Sequence, residues 1–375
     1  MNTKKRLRPP AQNIGRMIGH GMCVEDYIRL TTATECNVAT FEKVEDGEDF
    51  VLVADKLGDE AFAYATEQEK LGNSVTASEF YLNACACYRL ADYGINELTE
   101  EKKRIYTKVP ISFQKGKALS PYEKVEAVEI PFEGKTMPGY FVIPDNTPTD
   151  SPVLVFIAGA TGFKEENYLA ALKFWERGIP FIIFDGPGQG ESLYFRDMFY
   201  TVDNYERACK AVIDFVKADP RVGNKIALLG MSYGGYMAAR CACFLNDDIC
   251  GLVVRGGCSQ TDQLTMHKVG PWEHFYLQGF KLKFNEYDDE KAMEISHAMN
   301  IEPYLKNITV PTLIQHSKED NILGIEGAHT IYKMISSTDK EYAEYPGNTH
   351  CADDQHEKVS AYAADWLAKR MLKNK

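Results

Sequence analysis

The stretch Leu228-Leu229-Gly230-Met231-Ser232-Tyr233-Gly234-Gly235-Tyr236-Met237-Ala238-Ala239 decides the fold of this chain. An apolar strand runs into the pattern G-x-S-x-G, and a helix of small residues follows. The chain must turn so sharply at Ser232 that the residues two positions away need minimal side chains, which Gly230 and Gly234 provide. We therefore predict that Ser232 is a nucleophile on a strained turn.

A base and an orienting acid are expected further along the chain. A serine hydroxyl is a poor nucleophile unless a base removes its proton. In proteins with this turn the acid follows the serine, and the histidine follows the acid. Asp320 lies in a polar loop after an apolar strand, and His350 lies in the loop after Glu344 and Tyr345. We predict that Asp320 orients the base His350.

Two neighbouring residues compete for these assignments. Glu319 is the alternative acid, because the register of the loop is not set by the sequence. His316 directly ends the predicted strand, but it precedes Asp320 in the chain. We expect His316 to pack within the loop.

Attack on a carbonyl also requires hydrogen-bond donors for the oxyanion that forms. We expect one donor to be the backbone N–H of the residue just after the nucleophile, and we assign that donor to Met231. The second donor is expected in residues 158–162, the loop after the strand Val153–Ile157, with the N–H of Ala160 favoured. Small residues in this loop let its backbone approach a ligand. The alternative is a tight turn with no catalytic role.

The hydrophobic pattern predicts two regions. Residues 1–120 show only helical periodicity, and we expect them to form helices that pack on a larger neighbour. Residues 121–375 begin with an antiparallel hairpin and continue with short apolar runs between helices, which predicts a mostly parallel sheet flanked by helices. The runs are Val153–Ile157, Pro180–Phe184, Ile226–Leu229, Gly251–Val254 and Thr312–Gln315. This order, with the serine turn, predicts an α/β-hydrolase fold.

Residues 260–300 interrupt the alternation of strands and helices and are rich in aromatic side chains. They form either a surface helical excursion or a lid over the site, since long insertions between strands are often functional. We expect Trp272 and Phe275 of this segment, together with Tyr233, to line the substrate pocket.

Composition excludes several classes of function. The 42 Lys and Arg residues against 54 Asp and Glu residues give a formal charge of −12, which disfavours binding to nucleic acid or anionic membranes. No apolar run is long enough to cross a bilayer, and the basic N-terminus lacks the apolar core of a secretory signal. The ten cysteines include two C-x-C pairs rather than C-x-x-C pairs. We expect a cytoplasmic protein with reduced cysteines, no metal and a small-molecule substrate.

A glycine-rich segment, Phe184-Asp185-Gly186-Pro187-Gly188-Gln189-Gly190-Glu191-Ser192, superficially resembles a phosphate-binding loop. It lacks the G-K-[ST] ending of a P-loop, and its glycines do not fit G-x-G-x-x-G. We interpret it as a rigid turn beside the site.

Three segments carry a resemblance to a known family: EIPFEGKTMPGY at 129–140, GFKEE at 162–166 and DGPGQGE at 185–191. With the helical N-terminal region, they resemble the family of 2,6-dihydroxypseudooxynicotine hydrolase and related fungal polyketide-shortening hydrolases. The resemblance implies a carbon–carbon bond hydrolase or esterase without a cofactor, usually a homodimer, whose helical region caps the pocket. The family's Ser, Asp and His fall on Ser232, Asp320 and His350. Its oxyanion loop falls on residues 158–160, where Ala158-Gly159 replaces the usual double glycine.

The expected function is hydrolysis, through Ser232 and an acyl-enzyme, of an ester or of a carbon–carbon bond next to a carbonyl. One alternative is a peptidase of the prolyl oligopeptidase type, which should carry a large β-rich N-terminal region that this chain lacks. The other is a non-catalytic receptor on a hydrolase scaffold, which would typically have lost one of the three residues.

Overall fold

In the computed structural model of this chain, the described residues contain eight strands that form a single sheet, in the order β1-β2-β4-β3-β5-β6-β7-β8. The structure describes residues 5–10, 12–38, 40, 42–266 and 275–372. The chain divides into an N-terminal unit, Met1–Lys124, and a C-terminal unit, Val125–Lys375.

The N-terminal unit is helical in its described residues, apart from an isolated bridge between Cys36 and Lys43. Its helices are α1 (Ile14–Gly19), α2 (Val24–Thr34), α3 (Phe50–Lys70), α4 (Ser74–Tyr93) and α5 (Glu100–Leu119). Helix α4 packs against both α3 and α5. Glycines allow these close approaches: a Cβ on Gly58 would lie 2.5 Å from the ring of Tyr88, and one on Gly116 would lie 2.8 Å from Leu82.

The C-terminal unit holds all eight strands. They are β1 (Val125–Phe132), β2 (Lys135–Val142), β3 (Val153–Ile157), β4 (Phe181–Phe184), β5 (Ile226–Met231), β6 (Gly251–Arg255), β7 (Thr312–Ser317) and β8 (Lys340–Tyr345). Strand β2 pairs antiparallel with β1 and β4, and the remaining pairs are parallel. Every residue of the five strands from β3 to β7 is buried, which explains why their sequences are apolar runs rather than alternating patterns.

Helices connect the strands, and several of them pack on the sheet. They are α6 (Tyr168–Trp175), α7 (Gly190–Arg196), α8 (Asn204–Lys217), α9 (Tyr233–Leu245), α10 (Asp262–Thr265), α11 (Phe275–Phe284), α12 (Asp289–Ala298), α13 (Ile325–Met334) and α14 (His356–Met371). Short 3₁₀ helices cover Asn246–Asp248, Glu302–Asn307 and His350–Gln355. Helix α8 packs on α9, and α6 packs on α14. Within the described residues, none of the helices combines the length and apolar character needed to cross a bilayer.

The order of the strands places a switch point at the centre of the sheet. The chain runs outward from β3 to β4 and then returns to β5 on the other side of β3. The loops after β3 and β5 therefore leave the same edge of the sheet in opposite directions, and α/β proteins bind ligands in the crevice that forms there.

The predicted insertion is built mainly from helices. Helices α10, α11 and α12 occupy it, and a bridge between Gln260 and Asn300 closes its base. Residues 267–274 lie outside the described part of the chain. The backbone C=O of Lys283 accepts a hydrogen bond from the N–H of Tyr200, and the Lys283 ammonium donates to the C=O of Gly188. These contacts tie α11 to the glycine-rich turn.

Two helical glycines offer a matched test of the packing. An alanine Cβ at Gly58 would overlap the buried ring of Tyr88, whereas one at Gly279 would meet no atom within 4 Å. We expect Gly58→Ala to lower the free energy of unfolding by about 1–3 kcal/mol. Gly279→Ala should raise it by up to about 1 kcal/mol, because alanine is the better helix former. Urea unfolding followed by circular dichroism measures both, and stabilisation by Gly58→Ala would contradict the packing.

Candidate active site

Ser232 occupies the turn between β5 and α9 with a backbone conformation that non-glycine residues rarely adopt, φ +58° and ψ −128°. A Cβ on Gly230 would lie 1.9 Å from the C=O oxygen of Gly234, and one on Gly234 would lie 2.3 Å from that of Ile157. Both positions therefore exclude any side chain. Strain of this kind costs about 1–3 kcal/mol and persists only where the surrounding structure enforces it. The surrounding backbone therefore holds this turn in its strained conformation.

The structure brings Ser232, His350 and Asp320 together from three separate loops. Nε2 of His350 lies 2.7 Å from Oγ of Ser232. Nδ1 of His350 lies 2.9 Å and 3.0 Å from the two carboxylate oxygens of Asp320. With Nδ1–H donating to the carboxylate, Nε2 carries a lone pair that can accept the serine proton.

His350 and Asp320 shift each other's pKa values in opposite directions. Burial by itself would raise the pKa of Asp320, but the charge of His350 and its hydrogen bond outweigh burial and lower it. Burial would lower the pKa of His350, whereas the Asp320 carboxylate raises it above its usual value. The carboxylate therefore stabilises the imidazolium that forms when His350 takes a proton.

Backbone donors hold Asp320 in place. Its Oδ1 accepts hydrogen bonds from the N–H groups of Ile322 and Leu323, at 2.9 and 3.0 Å. Its Oδ2 accepts one from the N–H of Cys351 at 3.2 Å. These bonds fix the carboxylate in its ionised form and link it to the residue that follows the base.

The histidine loop, residues 346–352, carries its own strain. Cys351 and Ala352 both have positive φ, +58° and +53°. The hydroxyl of Ser317, at the end of β7, donates to the C=O of Thr349 at 2.6 Å and accepts from the N–H of Ala352 at 2.9 Å. Ser317 thus pins the chain on both sides of His350.

The expected oxyanion donor at Met231 does not fit the structure. Met231 is the last residue of β5 and precedes the nucleophile. The N–H of Ser232 donates to the C=O of Arg255 in β6, at 2.8 Å. Successive N–H groups of a strand point to opposite neighbours, so the N–H of Met231 points into the sheet toward β3. The amide beside the nucleophile is that of Tyr233, the first residue of α9, whose N–H has no acceptor within its own helix.

The loop after β3 lies directly against the nucleophile. A Cβ on Gly159 would lie 3.1 Å from both the Cβ of Ser232 and the C=O oxygen of Met231. Ala160 follows in this loop and is buried. Its N–H stays the predicted second donor, opposite the N-terminal end of α9 with its partial positive charge.

The glycine-rich turn holds this loop in position. The side-chain amide of Gln189, fully buried, donates to the C=O of Ala158 at 2.9 Å. Asp185 accepts from the backbone N–H of Lys164 at 2.8 Å and from its ammonium at 2.9 Å. Burial would lower the pKa of Lys164, but Asp185 and Glu165 raise it, so the ammonium stays charged. The segment therefore stabilises the loop after β3, a role that its sequence did not reveal.

Three side chains were predicted to contact the substrate, and the structure describes two of them. The ring of Tyr233 is fully buried, stacks on Tyr236 at 5.0 Å, and has its hydroxyl 3.2 Å from Oγ1 of Thr261. Phe275 begins α11 and is also buried. Trp272 lies outside the described residues. A role for these side chains in substrate contact stays a prediction.

Glu319 and His316, the alternatives considered for the acid and the base, have different surroundings in the structure. Glu319 is exposed, and only its backbone N–H is engaged in the loop, with the C=O of Gly347. His316 is buried with Nδ1 2.9 Å from the C=O of Ser317, and burial lowers its pKa. His316 thus packs in the interior, in strand β7 rather than in the loop that follows it.

Comparison with known proteins gives a consistent picture. A profile of the prolyl oligopeptidase family matches residues 167–374, more than half of the chain. 2,6-Dihydropseudooxynicotine hydrolase of Paenarthrobacter nicotinovorans is 25% identical over 308 residues, 81% of this chain and 80% of that protein. Hydrolase LUC6 of a Fusarium species is 30% identical over 253 residues, 64% of this chain and 59% of that protein.

A solved structure extends the likeness to the whole chain. The crystal structure of the 2,6-dihydroxy-pseudo-oxynicotine hydrolase superposes with a TM-score of 0.81 and 23% identity, covering 96% of both chains. The resemblance and the fold class predicted from the sequence are confirmed.

Neutralising Asp320 tests the geometry of the base. Asp320→Asn should lower kcat for a p-nitrophenyl ester by about 10³–10⁴-fold, because the amide no longer favours the required tautomer. Activity requires neutral His350 and falls as pH drops through the pKa of that imidazole. Since Asp320 raises this pKa, its loss should move the acidic limb of the kcat profile to lower pH. Glu319→Gln is the control and should stay within about twofold of wild type; an unshifted limb in Asp320→Asn would contradict the assignment.

Proposed function

The chain belongs to the prolyl oligopeptidase family and is a hydrolase of the α/β-hydrolase fold, and from this premise we propose that it cleaves an ester, or a carbon–carbon bond next to a carbonyl, through Ser232, His350 and Asp320. One observation carries the proposal: Nε2 of His350 lies 2.7 Å from the hydroxyl of a serine held at positive φ. A packed structural serine would not require such strain.

The first half of the reaction forms an acyl-enzyme. His350 takes the proton of Ser232 while Oγ attacks the substrate carbonyl carbon, whose oxygen becomes negatively charged. The N–H groups of Tyr233 and Ala160 stabilise that oxyanion. Collapse of the intermediate breaks the bond to the leaving group, which takes the proton from His350. The leaving group is an alcohol for an ester and an enol or carbanion for a carbon–carbon bond.

The second half releases the acid. His350 removes a proton from water, the hydroxide attacks the acyl carbon, and Oγ of Ser232 leaves and recovers its proton from His350. The chain's own residues supply every proton transfer. The names of the relatives favour a small organic molecule as substrate.

A peptidase is the second candidate, since the matching family is named for prolyl oligopeptidase. In the described part of Met1–Lys124 the structure has five helices and one isolated bridge, instead of the β-rich region expected for such a peptidase. The 2,6-dihydroxy-pseudo-oxynicotine hydrolase, by contrast, matches this chain over 96% of its length. We therefore favour the small-molecule reaction.

Fluorophosphonate labelling tests the nucleophile. The wild-type protein should be labelled stoichiometrically, and Ser232→Ala should lose all label. Ser259→Ala is the control, because Ser259 lies in the same C-terminal unit but is buried, and its hydroxyl donates to Glu302 at 2.8 Å. Label that persists in Ser232→Ala would refute the proposal.

A substrate panel then separates the reaction types. p-Nitrophenyl esters, aryl β-diketones and prolyl peptides should be offered to the wild type and to Ser232→Ala. We expect turnover of esters or diketones that depends on Ser232, and none of the peptides. Cleavage of the peptides alone would favour the family's peptidase activity.

A further inference from the structure

Arg255 ends β6 at the point where the nucleophile turn and the histidine loop meet. Its backbone C=O accepts the N–H of Ser232 at 2.8 Å, and Sγ of Cys351 lies 3.7 Å from the same oxygen. One peptide group therefore contacts both the nucleophile and the residue that follows the base.

The guanidinium of Arg255 reinforces this link from the other side. Its Nε donates to the C=O of Cys351 at 2.8 Å, and one terminal nitrogen donates to Oγ of Ser360 at 2.9 Å. The other terminal nitrogen lies 3.5 Å from Nδ1 of His356 and 3.6 Å from Oδ1 of Asp353. Arg255 is 2% exposed, and these polar contacts of its guanidinium are all with residues that follow His350.

Stability alone is a weak explanation for this arrangement. Removing a guanidinium from water is expensive, and buried ion pairs often add nothing to stability compared with apolar packing. Here the nearest carboxylate, that of Asp353, lies beyond ordinary hydrogen-bond length. The short bond instead goes to the C=O of Cys351, a residue held at φ +58°. Left-handed conformations of this kind need surrounding contacts to hold them.

We propose that Arg255 is a positioning residue that holds the histidine loop so that Nε2 of His350 stays within proton-transfer reach of Ser232. The proposal rests on the proposed function of these two residues. The backbone C=O of Arg255 anchors the nucleophile turn, and its side chain anchors the loop of the base. A loosened loop lengthens the distance between His350 and Ser232 without altering the substrate pocket's own side chains.

Fluorophosphonate inactivation kinetics measure this coupling without knowledge of the substrate. Arg255→Gln should lower the maximal rate of inactivation by about 100-fold, the loss that a misplacement of about 1 Å can cause. The concentration for half-maximal rate should change by less than about threefold, because binding is not altered. Arg255→Lys keeps the charge and one donor group, and should recover part of the rate.

Arg240→Gln is the matched control. Arg240 is also buried, and it pairs with Glu206 through two hydrogen bonds of 2.7 and 2.8 Å. Its loss should lower the thermal midpoint as Arg255→Gln does, but should leave the inactivation rate within about twofold of wild type. Comparing the two variants therefore separates an effect on the position of His350 from an effect on the thermal stability of the protein.

The outcomes are distinguishable. A rate in Arg255→Gln equal to that of Arg240→Gln, at a similar loss of thermal stability, would make Arg255 a structural residue only. If Arg255→Gln does not fold, a wild-type rate in Arg255→Lys would overturn the proposal and a reduced rate would support it. A wild-type protein that reacts no faster than Ser232→Ala would instead refute the proposed function itself.

Discussion

The arrangement of the site depends on the close backbone packing at the turn after β5. Ser232 is held at φ +58° because the backbone before and after it passes so close that Gly230 and Gly234 leave no room for a Cβ. The same closeness extends to Gly159 in the loop after β3, whose Cβ would lie 3.1 Å from that of Ser232. Three backbone segments therefore meet without intervening side chains. Backbone groups of these segments, rather than side chains, therefore lie against Ser232.

The remaining parts of the site are brought to this point by separate loops at one edge of the sheet. Asp320 follows β7, His350 follows β8, and Arg255 ends β6. Polar contacts restrain these loops and the loop after β3. Ser317 holds the chain around His350, Gln189 holds Ala158, and backbone amides hold Asp320. Such networks stabilise a single arrangement only when their members are paired, because an unpaired polar group in the interior is costly.

Prediction from the sequence succeeded where a local pattern has one structural meaning. Five predicted apolar runs correspond to five fully buried strands, since only a sheet covered on both faces gives such runs. It failed at Met231, because that residue precedes the nucleophile, whereas the residue that follows it and begins α9 is Tyr233. It also missed the roles of Lys164, Gln189 and Arg255. These roles could have been predicted from two features of the sequence. One is an arginine that ends an apolar strand, and the other is the presence of charged residues close to glycines.

By itself the sequence determined the class of fold, the position of the nucleophile turn and the order of serine, acid and histidine along the chain. These follow from local sterics and hydrophobic periodicity, which act over a few residues at a time. Only the tertiary structure decided that Asp320 rather than Glu319 faces His350, and that the loop holding Gly159 lies against Ser232. Both depend on how the edge of a twisted sheet brings distant loops into contact. No spacing along the chain encodes that geometry.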